Sequence, residues 1–527
     1  FFLLCLATSR SMAATVLSYF WELASLDVDR RVKAASSLIA ALNTAQSEFA
    51  ATSAAGGQPL CPDLEYAVRR LVRGLASPRD GARQGFGAAL IELCAALEIV
   101  TPELILEQIE STLQLTGAAK GSEERDVLFG RLFACSALVR SHRVAALPAE
   151  RQSATAARLS ALLIAVGGAK AFLQEPAAAV TCELIRTLDP SVVEESVWPT
   201  VAPLLPGPLA GWSPHGLMLA LALARKLPPV RLATLLPQCE LRDGSLLHAA
   251  SLPSFLAPLK AASGSHPRLH GVWGELLDDL CPRGAAAAAA AAAAALAGDG
   301  EEARDAGGLG ADSASEATAG GGGKKSSKQR KALRKAAADA AAAATLAATS
   351  ASVAAAASPA TVPGGGGSAG GAASGAAVGP LFRRFWHEIV DEGLVPSGLE
   401  RKYMAFSLLQ ATLPRLPSAD LPLVLSPALL RCLIDALESP DRLLRPAASA
   451  TVGALVAHAQ SSPPLRTALV SQLLTRASRG TGQERADSTK ALRQLVAQGL
   501  DASGGEDYAS FLLGYFATGA APAAAPP

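Results

Sequence analysis

Apolar positions along the chain recur at helical spacing. Leu64, Val68, Leu71, Val72 and Leu75 follow one another at intervals of four, three, one and three, which places them on one stripe of a helix. Arg69, Arg70 and Arg73 fall elsewhere on that helix. Ser77-Pro78 interrupts the pattern. Serine suits an N-cap, proline the first helical position, and Asp80 the acidic place of a capping box. The stripe resumes at Ala82, Phe86, Ala89, Leu90, Leu93 and Leu97. Two amphipathic helices joined by a tight turn make an αα-hairpin. No stretch alternates apolar and polar residues at strand length with β-branched side chains, so the predicted class is all-α.

A repeat runs through the turns. Leu23 to Asp27 leads to Arg31 and then Leu38; Leu75 to Pro78 leads to Arg83 and then Leu90; Leu437 to Pro440 leads to Arg445 and then Val452. In each, Leu closes one helix, Ser caps the next, Arg lies six residues after Ser, and an apolar residue follows seven later. Units of this kind bury a stripe that a lone hairpin leaves open, as armadillo-like or HEAT-like α-solenoids do. The arginines are expected to pair with carboxylates or carbonyls of the next hairpin.

Composition divides the 527 residues into zones. Residues 1–282 are read as an N-terminal solenoid block and residues 379–518 as a second helical block, followed by an Ala/Pro tail at 519–527. Residues 283–378, rich in Ala, Gly and Ser, lack the bulky side chains that offset ordering entropy, and are read as a disordered insertion. Half the chain is hydrophobic and its mean hydropathy is +0.27, but alanine supplies much of both. The longest apolar run, Ala285 to Ala297, is short of a membrane span, so no transmembrane segment is predicted. The apolar start Phe1 to Ala7 lacks a basic flank and an initiating Met, which argues for a fragment or truncated gene rather than a signal peptide. The 8 cysteines form no Cys-x-x-Cys pair, so they read as reduced and mostly buried.

Catalytic patterns are missing from the sequence. Gly320 to Lys325 is glycine followed by lysines inside low complexity, with no strand before it, and so is no P-loop. His266 and His270 are four apart but separated by Pro267, and Asp278-Asp279 reads as surface charge near a helix end. No catalytic, cofactor-binding or metal-binding residue is assigned.

Charge is more informative. The net charge of +1 hides Lys324, Lys325, Lys328, Arg330, Lys331, Arg334 and Lys335, which crowd together without a carboxylate. Such a run suits an import receptor or nucleic-acid phosphates. A second candidate is the helix bearing Arg69, Arg70 and Arg73, with Arg79 and Arg83 nearby. With no interleaved aromatics, it suits contact with backbone phosphates or an acidic protein rather than base stacking.

Several segments together resemble the DNA polymerase phi family, whose members are also called DNA polymerase V or Myb-binding protein 1A. They include Phe20-Trp21-Glu22-Leu23, Tyr66 to Ser77 with Ala82 to Phe86, and Glu124 to Phe133 with Ala137 to Ser141. Beyond the insertion they include Phe385-Trp386, Asp391 to Leu394, Glu400 to Tyr403, Arg431 to Ile434 and Asp441 to Leu444. At Ala486, before Asp487, the family usually has Phe. The resemblance implies a nuclear, chiefly nucleolar, armadillo-like scaffold that acts in ribosomal RNA transcription and ribosome biogenesis and as a transcription co-regulator. It implies partners among nucleolar proteins or ribonucleoprotein, with DNA or RNA held through the basic segments. No membrane, small-molecule substrate or cofactor is expected. The rivals are a DNA-directed DNA polymerase, as the family name claims, and a cytoplasmic transport adaptor built on the same solenoid.

Overall fold

The computed structural model describes residues 16–52, 60–115, 121–265, 267–281, 379–417, 420–438, 441, 443–460 and 513. Helices account for every regular element among them, and the sole β-type pairing is an isolated bridge between Arg242 and Ser245. The all-α expectation is met. These residues fall into two compact units, one holding 16–206 and 218–232, the other 207–217, 233–281 and the described residues from 379 onward.

The first unit opens with α1 (residues 16–22) and α2 (Val28–Thr52), followed by α3 (Pro62–Gly74) and α4 (Asp80–Ala96). It continues through α5 (Pro102–Thr112), α6 (Gly121–Arg140), α7 (Ala149–Ala169) and α8 (Ala171–Thr187). Helices stack on the next but one: α2 on α4, α4 on α6, α6 on α8 in one row, and α3 on α5, α5 on α7 in another. Sequence neighbours such as α3 and α4 also pack together, so each hairpin buries its stripe against the next, a pattern compatible with an α-solenoid. Both stripes read from the sequence are buried throughout, from Leu64 to Leu75 and from Ala82 to Leu97. Close approach is set by small residues. A Cβ on Gly85 would overlap the Leu23 carbonyl oxygen, and one on Gly74 would lie 2.7 Å from the Phe86 ring.

Two of the three turns bear out the arginine expectation in part, with forward contacts to the next hairpin but carbonyl bonds to the arginine's own turn, and they correct the serine one. Arg31 donates from Nη1 to the carbonyls of Ser25 (2.9 Å) and Leu26 (3.0 Å), and from Nη2 to Gln84 of the next hairpin at 2.9 Å. Arg83 donates from Nη1 to the Ser77 carbonyl at 2.9 Å, pairs with Asp80, and reaches Asp126 of the next hairpin at 3.8 Å. Neither serine is the N-cap. Ser25 Oγ accepts from the Asp27 amide at 3.2 Å, and Ser77 Oγ from the Arg79 amide at 3.3 Å. The cap lies two residues later. Asp27 accepts from the amides of Asp29 (2.9 Å) and Arg30 (3.3 Å), while Arg79 in the same place makes no side-chain cap bond. The equivalent Asp441 accepts from Leu443 (2.7 Å) and Leu444 (2.9 Å) at the start of helix Leu444–Gln460. In that copy Arg445 is exposed, and Ser439 lies outside the described residues.

In the second unit the helices preceding and following residues 282–378 share one core. Trp273 of helix Gly271–Leu280 is buried edge-on to Phe385 at 6.4 Å, and its Nε1 donates to the Met404 sulfur at 3.2 Å. Arg415, its side chain buried, donates to Asp278 at 2.7 Å. Helix Pro380–Phe385 continues as a π-helical segment, Trp386–Leu394. There a Cβ on Gly393 would lie 2.5 Å from Leu256. No described helix is long and apolar enough to cross a membrane.

Candidate functional site

The buried side of α3 determines what its other side shows. Leu64, Ala67, Val68, Leu71 and Val72 are fixed in the core, and the helix starts against Cys61, whose sulfur accepts from the Leu64 amide at 3.4 Å. Gln46 holds that cap by accepting from the Cys61 amide at 2.8 Å. With rotation thus fixed, Tyr66, Arg69, Arg70 and Arg73 form one outward stripe, because residues three and four apart share a helix face. All four are exposed, Tyr66 at 42%. Its ring makes a T-shaped contact with Phe20, the centroids 6.0 Å apart. Trp21, beside Phe20 in sequence, is 76% exposed.

The cations of this stripe are largely unmatched. Arg69 pairs with Glu65 at 2.8 Å, across one helical turn. Among the described residues, Arg70, Arg73 and the exposed Arg79 of the following turn have no ion pair. The contrast lies in the same row of helices. Arg151 and Arg158 of α7 each meet a carboxylate of α5, Glu103 at 2.9 Å and Glu110 at 2.5 Å. Burial pushes the Glu103 carboxyl up, but hydrogen bonds, that of Arg151 foremost, bring it below its ordinary value. Glu110 is lowered chiefly by its hydrogen bond with Arg158.

Arg83 does not belong to the outward set. It is 4% exposed, and its guanidinium lies 5.1 Å from the Phe129 ring centre as well as on Ser77 and Asp126. A turn that folds α4 back against α3 carries Arg83 inward, where it ties hairpins together. The run Lys324, Lys325, Lys328, Arg330, Lys331, Arg334 and Lys335 lies outside the described residues. Sequence reasoning passed over Tyr66. Its signal was available, since Tyr66 precedes Arg69, Arg70 and Arg73 by three, four and seven residues.

The remaining chemical candidates have structural posts. His270 is buried at the start of helix Gly271–Leu280, where Nδ1 accepts from the Val272 amide at 3.0 Å, and His266 lies outside the described residues. Burial pushes the Cys94 and Cys135 thiols up to about 12, far from reactive thiolate chemistry. Among the described residues no group of three or more His, Cys, Asp or Glu is placed to hold a metal ion.

Residues 66–525 match the family described as DNA polymerase phi. The chain is 28% identical over 215 residues to the rDNA transcriptional regulator pol5 of Schizosaccharomyces pombe, an alignment covering 40% of this chain and 20% of that protein. It is 30% identical over 128 residues to a Myb-binding protein 1A-like protein of Danio rerio, covering 24% of this chain and 9% of the other. Myb-binding protein 1A of Homo sapiens gives the same identity over 128 residues, with 24% and 9% covered. The chain thus spans a fifth or less of the length of these relatives.

Proposed function

The chain belongs to the DNA polymerase phi family, and from that premise we propose that it is a nucleolar helical scaffold for ribosomal RNA gene transcription. In this reading it also serves ribosome biogenesis and acts as a transcription co-regulator. Its stacked hairpins display surfaces to nucleolar proteins or ribonucleoprotein, and its basic segments add salt-dependent attraction to DNA or RNA. The observation that carries the reading is the family match over residues 66–525, with a relative named for rDNA transcriptional regulation. The unpaired arginines of α3 support it physically, because cations without an internal counter-charge remain available to a polyanion.

Catalysis is not part of the proposal. The relatives are named as a regulator and as binding proteins, whereas polymerase occurs in the family description alone. A primer-extension assay on the purified chain decides between these, since extension abolished by an acidic-residue substitution overturns the scaffold reading. Imaging a tagged chain with and without residues 324–335 tests the location. Nucleolar accumulation that depends on the run is the expected result, and exclusion of the intact chain from nuclei refutes it in favour of a cytoplasmic adaptor.

A further inference from the structure

We propose that the outward face of α3 is a binding site for single-stranded nucleic acid, with Arg69, Arg70 and Arg73 on its phosphates and Tyr66 beneath a base. The inference rests on the nucleic-acid element of the proposed function and names the residues and the form of the polymer.

Three features of the face select this partner. Its cations are guanidiniums, planar forks that match phosphate oxygens in pairs, and two of the three are free of any internal ion pair among the described residues. Arg69 and Arg73 stand one turn apart, about 6 Å along the axis, a step comparable with that between phosphates of an extended strand. Arg79, exposed in the turn after α3, continues the positive track beyond the helix.

The tyrosine decides between polymers. Tyr66 is 42% exposed on the same stripe as the arginines, its ring T-shaped against Phe20. An exposed ring beside a cationic track gives a sequence-tolerant stacking platform, usable by a strand with unpaired bases. A duplex keeps its bases stacked inside and has no use for it. An acidic protein segment would also satisfy the arginines, and the polyglutamate arm of the test separates it from the strand. The aromatic on this face therefore revises the sequence-based expectation that base stacking plays no part.

The test uses the full chain carrying alanine at Lys324, Lys325, Lys328, Arg330, Lys331, Arg334 and Lys335, so that the second basic segment does not mask the first. Binding of a fluorescein-labelled 16-nucleotide RNA is followed by anisotropy between 50 and 200 mM KCl. With three phosphates neutralised, the logarithm of affinity should fall against that of salt with a slope of about −2. R69A/R70A/R73A should weaken binding at least tenfold and flatten the slope. Tyr66→Leu should weaken binding about fivefold and leave the slope unchanged. A duplex of equal length and a polyglutamate peptide should both bind less tightly than the strand. The proposal is overturned if the triple variant binds as the parent does. It is equally overturned if the duplex or the peptide matches the strand while Tyr66→Leu has no effect. All four side chains are exposed, so far-UV circular dichroism should not change with these substitutions. Failure here leaves a role in ribosomal RNA transcription standing, because that role is read from transcript synthesis and not from RNA affinity.

Discussion

Arg83 donates from Nη1 to the carbonyl oxygen of Ser77 at 2.9 Å, six residues back along its own chain. Arg31 makes the same bond to Ser25 at the same distance. In both places the arginine closes the turn behind it and reaches forward, Arg31 to Gln84 and Arg83 to Asp126. One side chain thus satisfies a turn carbonyl and links consecutive hairpins. This accounts for the spacing from serine to arginine in these two turns, where the serine itself is free of capping duty.

Replacing Arg83 tests the link. Arg83→Ala removes a buried guanidinium from the Ser77 carbonyl and leaves Asp126 to Arg125 alone, and should cost about 2 kcal/mol. Arg445→Ala, at the matching but exposed position, should stay within about 0.5 kcal/mol of the parent. Urea unfolding midpoints of the two variants check the difference, and equal losses would mean that burial of Arg83 is immaterial.

Two glycines of α4 should respond oppositely. Gly85→Ala pushes a methyl into the Leu23 carbonyl and should destabilise by about 2 kcal/mol, because backbone must shift. Gly87→Ala meets only Leu75 Cδ2 at 3.7 Å, ordinary contact, so the helix gains about 0.5 kcal/mol from reduced chain entropy. Thermal melts of both proteins measure it.

Arg79 occupies an N-cap place with extended backbone and no cap bond, where Asp27 and Asp441 do the capping in the equivalent turns. Arg79→Ser should therefore stabilise α4 by about 0.5 to 1 kcal/mol. A melting temperature unchanged or lowered contradicts the equivalence of the three turns.

The α5–α7 ion pairs give stability an acid dependence. Glu103 and Glu110 both titrate below the ordinary 4.5 when folded. A depressed acid binds fewer protons in the native state, so its contribution is present above about pH 4.5 and fades as pH falls through the folded value. Urea midpoints of the parent should fall between pH 5 and pH 3, and E103Q/E110Q should flatten that fall. Identical pH profiles would show the pairs to be too solvated to matter.

The fold was largely legible because apolar spacing carries its own rotation. The stripes from Leu64 to Leu75 and from Ala82 to Leu97 point to the core as read, whereas Arg31 and Arg83 bond to carbonyls of their own turn in addition to reaching the next hairpin. Local chemistry was less so. Ser77-Pro78 resembles a cap, yet the turn spends Ser77 Oγ on the Arg79 amide and helix α4 starts at Asp80. Counting charges put Arg83 with Arg69, Arg70 and Arg73, but whether an arginine faces out depends on how α4 folds back. Composition marked residues 283–378 but does not tell that Trp273 and Phe385, on either side, share a core.

The proposed role is support of ribosomal RNA gene transcription without catalysis of polymerisation. Acute depletion of the protein, followed by nuclear run-on labelling of the ribosomal RNA precursor, tests it most directly. The account predicts that precursor synthesis falls and that re-expression of the intact protein restores it. Precursor synthesis unchanged after depletion would contradict it.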